Sequence, residues 1–312
     1  MKTVIILIIS LLLLVLLFVI FGGLAGFIFA CGRRKSNFDP SRMSEENPGR
    51  MYYNECEKCS KTLLKNPSED IFITAQDGAK ITARLFLQGN KDKFIILMHG
   101  YRSDWVRDFG SIAEFWYESG YSLLIINDRA HGDSEGKYIC YGVKERYDVR
   151  DFAKYLSSHY PGCKILLHGI SMGGATVMMS ADTGLPPEVV GIIDDCGYTT
   201  PFEIIADVSK KNMHLPVVFT ASASLWARVL AHISLKGASA VESSKNSSIP
   251  KLIIHGEKDD FVPYKMGVEI YEAASGDKRF LSVPGAAHAL SFFVAPDMVK
   301  RALTDFAAKT MG

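Results

Sequence analysis

The sequence lacks an excess of charge of either sign. Its 312 residues carry 35 Lys and Arg against 34 Asp and Glu, a formal net charge of +1 with histidine neutral. That balance points away from nucleic acid or a strongly acidic partner. There is no internal repeat and no low-complexity tract, which removes repeat architectures. Cysteine is sparse, at six residues. Cys56 and Cys59 form a C-x-x-C, but no second pair or histidine set follows at matching spacing, which excludes a zinc site. They read as two thiols on a juxtamembrane helix. Cys140, Cys163 and Cys196 are scattered as free core thiols, which leans toward a reducing compartment. Hydrophobic residues make up 48% of the chain and charged residues 22%, so a large core can form. Beyond the N-terminal segment, the length fits one α/β domain with a modest insertion.

What the chain has at its start is a long apolar run. Thr3 to Ala30 contains no charged residue, and such a length can span a bilayer. It is long for the apolar stretch of a cleaved signal peptide. Ile28-Phe29-Ala30 is bulky where a lipoprotein signal ending at Cys31 would have small residues. The run therefore reads as an uncleaved single-pass anchor. Its orientation stays open. Arg33, Arg34 and Lys35 outweigh Lys2 and favour a cytoplasmic domain, whereas the Met-Lys start equally fits an export signal.

Residues 1–35 are thus expected to be anchor and basic flank, and 36–69 a linker (Ser36 to Pro48) and juxtamembrane helix (Met51 to Leu64). The catalytic domain is expected over 70–312. Asp70 to Thr74 and Ile81 to Leu87 alternate as strands around an Asp77-Gly78 turn. Asp104 to Ser119 and Tyr147 to His159 read as helices, and Val189 to Asp194 as a buried strand. Strands alternating with helices predict a mostly parallel sheet covered on both faces. Between about 197 and 249 lies a short insertion, with helices expected over Phe202 to Val208 and Pro216 to Ile233. Its apolar residues either pack it onto the body or roof an acyl pocket.

The most informative stretch is Gly169-Ile170-Ser171-Met172-Gly173. It follows the apolar run Lys164 to His168 and precedes a small-residue run over Gly174 to Ala181. Strand, G-x-S-x-G, helix describes a nucleophile elbow, with Ser171 at the sheet edge above a helix N-terminus. A serine hydroxyl needs a base and a carboxylate to orient that base. Lys251 to His255 reads as a strand running into Asp259 and Asp260. Arg279 to Val283 reads as the next strand, followed by a loop carrying His288. Both loops fall at the edge that holds Ser171.

His-Gly-x-x-Asp-x-x-Val-Pro followed by a Gly-x-x-His loop resembles the α/β-hydrolase superfamily. It is similar, more narrowly, to serine hydrolases of the esterase, acyl-peptidase and serine aminopeptidase branch. The resemblance covers roughly Asp70 to the C-terminus. It implies an α/β-hydrolase fold: a mostly parallel sheet, helices on both faces and a short helical lid, here preceded by a transmembrane helix. By position it makes Asp259 the triad acid, with Asp260 as fallback, and His288 the base. His99-Gly100-Tyr101 after an apolar strand matches the family's oxyanion loop, which implies backbone N–H donors at Tyr101 and Met172. Asp128-Arg129-Ala130-His131-Gly132 resembles a family segment that is mostly architectural, so Asp128, Arg129 and His131 are expected to fix loops.

The expected activity is hydrolysis of a carboxylic ester or related acyl bond on a small-molecule substrate. No metal or organic cofactor and no nucleic acid is expected; the membrane is the expected partner, through the N-terminal helix. A serine peptidase on the same scaffold is the first alternative, and a non-catalytic binding module is the second.

Overall fold

The structure is a computed structural model that describes residues 1–34 and 39–312. Lys35 of the expected basic flank and Ser36 to Phe38 of the expected linker lie outside the described residues.

Eight strands form one sheet: β1 (Glu69–Thr74), β2 (Lys80–Phe86), β3 (Lys93–Met98), β4 (Ser122–Ile126), β5 (Lys164–Ile170), β6 (Val189–Asp195), β7 (Lys251–Gly256) and β8 (Lys278–Val283). Their order is β1-β2-β4-β3-β5-β6-β7-β8. β1 and β2 pair antiparallel with each other, and β2 pairs antiparallel with β4. From β4 to β8 every pairing is parallel. The reason is visible in the residues. β4 is buried throughout and β3 in all but its first residue, as apolar runs without alternation require when helices cover both faces.

The helices are α1 (Lys2–Cys31), α2 (Pro48–Leu63), α3 (Trp105–Glu118), α4 (Glu145–His159), α5 (Met172–Met179), α6 (Pro201–Met213), α7 (Val217–Trp226), α8 (Ala240–Lys245), α9 (Tyr264–Ala273), α10 (Ser291–Val294) and α11 (Pro296–Met311). Asp104 caps α3 by accepting from the Arg107 N–H, and Phe109, Ile112, Ala113 and Trp116 turn inward. Two apolar clusters, one on each sheet face, make up the core.

The segment between β6 and β7 holds α6, α7, a π-helical turn (Ala227–Ala231) and α8. Its first helix starts at Pro201 behind the Thr200 cap and runs on past Val208 to Met213, where His214 turns left-handed (φ 52°, ψ 27°) and ends it. Pro216 caps α7, and the π turn carries the second helical stretch to Ala231.

α1 departs from the picture of an anchor standing clear of the domain. Residues 1–18 are exposed, but Gly23, Phe27 and Cys31 are buried, because the last third of the helix packs against α7 and the body. The Trp226 indole N–H donates to the Ile20 carbonyl at 2.9 Å. A helix that is apolar on every side carries no stripe from which such docking could be read.

Candidate active site

β5 runs straight into Ser171, and α5 begins at the next residue. Ser171 has φ 58° and ψ −116°, a left-handed conformation that costs a non-glycine residue strain and persists only where its surroundings enforce it. They do so here. Its N–H donates to the Asp195 carbonyl at 2.8 Å, and its carbonyl accepts from Ala175 N–H at 2.9 Å. A Cβ on Gly173 would stand 1.9 Å from the Met98 carbonyl oxygen, and one on Gly169 would stand 2.1 Å from that of Gly173. Only glycine on both sides lets the turn close.

The three expected triad residues come together. His288 Nε2 lies 2.9 Å from Ser171 Oγ, and its Nδ1 lies 2.7 Å from Asp259 Oδ2. Asp259 Oδ1 also accepts from the N–H groups of Phe261 and Val262, at 3.0 and 2.8 Å. Burial opposes ionisation of this carboxyl, but hydrogen bonds from His255 and His288 outweigh it and hold Asp259 down at about 2. Asp260, the fallback, is exposed, and its backbone carbonyl accepts from Lys211 Nζ. His255 is a residue the sequence reading passed over. Its Nε2 lies 3.4 Å from Asp259 Oδ2 and 3.1 Å from the Val262 carbonyl, so it steadies the acid from below.

The loop after β3 reaches the nucleophile. A Cβ on Gly100 would lie 3.4 Å from Ser171 Cβ, which places the following Tyr101 peptide beside the serine. Met172, as the first residue of α5, has an N–H with no intrahelical partner. Asp108, also missed by the sequence reading, fixes this loop. Its Oδ2 accepts from Gly100 N–H at 2.7 Å and its Oδ1 from Ser103 Oγ at 2.6 Å. A carboxylate in the first turn after the loop was the available signal.

The Asp128–His131 segment fixes loops, though not in every case by its side chains. His131 Nε2 accepts from Arg102 N–H at 2.9 Å. Burial first, then the charge of His99, push this histidine down to about 3, so it stays a neutral acceptor. Arg129 forks onto Asp148 and reaches Asp77. Asp128 contributes its backbone N–H, donated to His99 Nε2 at 3.2 Å. Its side-chain oxygens are buried without a hydrogen-bond partner among the described residues, and burial holds this carboxyl well above the usual range. His99, Asp128 and His131 lie close enough to share a cation, but the Nε2 atoms of both histidines already accept backbone N–H groups.

Beside Ser171 is a cavity of about 300 Å³. The body supplies Tyr101, Met172 and Tyr198, the lid supplies Ile204, Phe219 and Ala223, and α1 supplies Gly22, Gly26, Phe29 and Ala30.

The overall fold is shared with solved esterase structures. The esterase Pf2001 of Pyrococcus furiosus superposes with a TM-score of 0.67 at 24% identity, over 80% of this chain and 94% of that one. The chain is an α/β-hydrolase by fold. The family model described as serine aminopeptidase, S33, matches residues 89–194, which contain Ser171 and the Gly100-Tyr101 loop. The uncharacterized protein YqkD of Bacillus subtilis is 25% identical over 201 residues, 64% of this chain and 65% of that protein. Protein bem46 of Schizosaccharomyces pombe is 30% identical over 182 residues, 57% of this chain and 55% of that one. The chain thus spans between half and two thirds of these two relatives. Family model and fold together support a hydrolytic activity.

Proposed function

We propose that this α/β-hydrolase is a membrane-anchored serine hydrolase that cleaves a carboxylic ester or related acyl bond. The observation that carries the reading is the continuous Ser171–His288–Asp259 hydrogen-bond chain. Ser171 Oγ attacks the acyl carbon while His288 Nε2 takes its proton. The tetrahedral oxyanion is met by the N–H groups of Tyr101 and Met172. Collapse expels the alkoxide, which leaves with the proton from His288, and an acyl-serine remains. Water, deprotonated by His288, then attacks that ester and releases the acid. Asp259 holds the imidazole in the tautomer that presents Nε2 as a base and stabilises its cation. The anchor is α1, one helix long and apolar enough to cross a bilayer.

The family model's own description favours a second reading, a serine aminopeptidase. A peptide amine calls for a carboxylate at the site, and no Asp or Glu is among the described residues lining the cavity. The ester reading is therefore preferred.

The test is hydrolysis of p-nitrophenyl esters from acetate to palmitate by the full chain in detergent, beside aminoacyl p-nitroanilides. Ester turnover is expected, and Ser171→Ala is expected to lower it by roughly 10⁴-fold or more. Turnover that survives Ser171→Ala unchanged would sink the reading. Turnover of the anilides alone would turn it to a peptidase.

A further inference from the structure

The same helix that anchors the chain walls the cavity that holds the nucleophile. Residues 2–18 of α1 are exposed. They measure about 26 Å at about 1.5 Å per residue, close to the roughly 30 Å of a bilayer's hydrocarbon core. Packing against the body starts at Phe18, whose ring meets that of Phe219 edge-on with centroids 5.7 Å apart. The part of α1 that reaches the cavity, Gly22 to Ala30, is therefore the part that emerges at the membrane boundary.

The helix is locked in this position. A Cβ on Gly23 would fall 2.1 Å from Ser222 Oγ and 2.9 Å from the Ala223 backbone nitrogen, so α1 lies directly on the backbone of α7. The last carbonyls of α1 are capped by the oxyanion loop itself. Tyr101 Oη donates to the Ala30 carbonyl at 2.7 Å, and the Arg102 guanidinium donates to that of Phe29.

α7 shares the boundary. It has no charged residue, and Val217, Val218 and Leu225 are 61%, 45% and 58% exposed. A contiguous apolar surface of this kind on a soluble domain needs a cover. Running on from the exposed half of α1, this one fits the acyl region of the membrane. Phe29 and Met213, 52% and 53% exposed, sit at the cavity mouth. Within the cavity, Gly26 leaves its wall open, with nothing within 4 Å of where a Cβ would be.

Resting on the serine-hydrolase reading above, we propose that the substrate is an acyl ester lipid resident in the same membrane. Its acyl chain slides from the bilayer between α1 and α7 into the cavity, so that the anchor is one wall of the acyl site. The volume of about 300 Å³ lies at the small end for ligand pockets, which selects one acyl chain rather than two. The occupant follows from the nucleophile at one end of the cavity, the apolar lining, and the continuity of that lining with a membrane-spanning helix.

The test uses the full chain in phosphatidylcholine vesicles, with Gly26→Ala, Gly26→Leu and Gly26→Phe as a graded series. Leu13→Phe, on the exposed half of the same helix, adds bulk away from the cavity. The readout is the ratio of p-nitrophenyl palmitate to p-nitrophenyl acetate turnover. The ratio is expected to fall with side-chain size at position 26, by at least about tenfold for Leu, and to hold in Leu13→Phe. Ala and Leu decide the matter if the Phe variant fails to fold. Palmitate ester placed in the enzyme's own vesicles is expected to turn over at least about tenfold faster than ester placed in separate ones. A ratio unmoved across the series, with Ser171-dependent turnover intact, would remove α1 from the acyl site. Equal rates from the two vesicle populations would overturn the membrane route. Absence of turnover on every ester would remove the catalytic reading, and this inference with it.

Discussion

At the scale of single residues, backbone geometry chooses which of two neighbouring carboxylates meets His288 as the acid of the proposed triad. Asp259 receives two main-chain N–H groups on one oxygen and an imidazole on the other, so its carboxylate cannot turn away from His288. Its neighbour Asp260 points to solvent. Asp259→Asn should therefore lower kcat by roughly 10⁴-fold, with the hydroxyl–imidazole contact kept but the wrong tautomer held. Asp260→Asn should change kcat less than about threefold. Steady-state kinetics on a p-nitrophenyl ester separate the two, and equal losses would refute the assignment. Ser171, Asp259 and His288 were legible because each follows a strand end in a fixed chain order. Asp108 and His255 were not. Asp108 acts across the fold on a peptide eight positions away in the chain, and His255 lies inside a strand that reads as plain core. For Asp108 the one trace in the sequence is a carboxylate in the first turn after the loop; the His255 arrangement leaves none in spacing.

Elements were legible to the extent that they show contrast. The buried strands stand out as apolar runs bounded by turns, and α3 shows a clear inward face. α1 shows none, and its docking on α7 emerges only in three dimensions. α2 is an intermediate case. Its helix was readable, but not its partner. α2 crosses α3 where a Cβ on Gly110 would stand 2.1 Å from the Cys56 carbonyl, and Cys56 Sγ sits 3.3 Å from Ser111 Oγ. The C-x-x-C is thus split by its surroundings. Cys56 is sealed at the crossing while Cys59 is half-buried at its edge. Gly110→Leu should push α2 off α3, at a cost of about 1–3 kcal/mol or somewhat more. Cys56 should then become open to alkylation. Iodoacetamide labelling of native protein, read by peptide mass mapping, should find Cys56 protected in the parent and modified in the variant. Protection in both would mean that the crossing does not depend on that close approach.

For the molecule as a whole, the ground beneath the triad sets how stability varies with pH. Asp194 and Asp195 end β6 in full burial, and burial, eased by the charge of His255, leaves each carboxyl raised from 3.8 to about 7. His255 is also raised, since contact with Asp259 outweighs its own burial. In all three cases the folded protein binds protons more tightly than the unfolded chain does. The stability these three groups contribute then falls as pH rises, from about 4 through 7 for the two carboxyls and above 6.5 for the imidazole. Asp259 works the other way. Held at about 2, it contributes stability that is complete above its unfolded value near 3.8 and is lost as pH falls toward 2. Buried His131 and His168, both pushed down to about 3, act in the same sense as Asp259: their share of stability is lost as pH falls from 6.5 toward 3, and it offsets the two carboxyls over that range. The decline set by the carboxyls and His255 is therefore left uncompensated above about 6.5. Each raised carboxyl accounts for at most about 4 kcal/mol of that decline. Thermal melts of the detergent-solubilised full chain from pH 4 to 9 should show Tm falling as pH rises past about 6.5. Asp195→Asn, which replaces the carboxyl with a neutral isostere, should flatten the alkaline decline. A Tm that climbs steadily to pH 8, in parent and variant alike, would mean that Asp194 and Asp195 are ionised in the folded state.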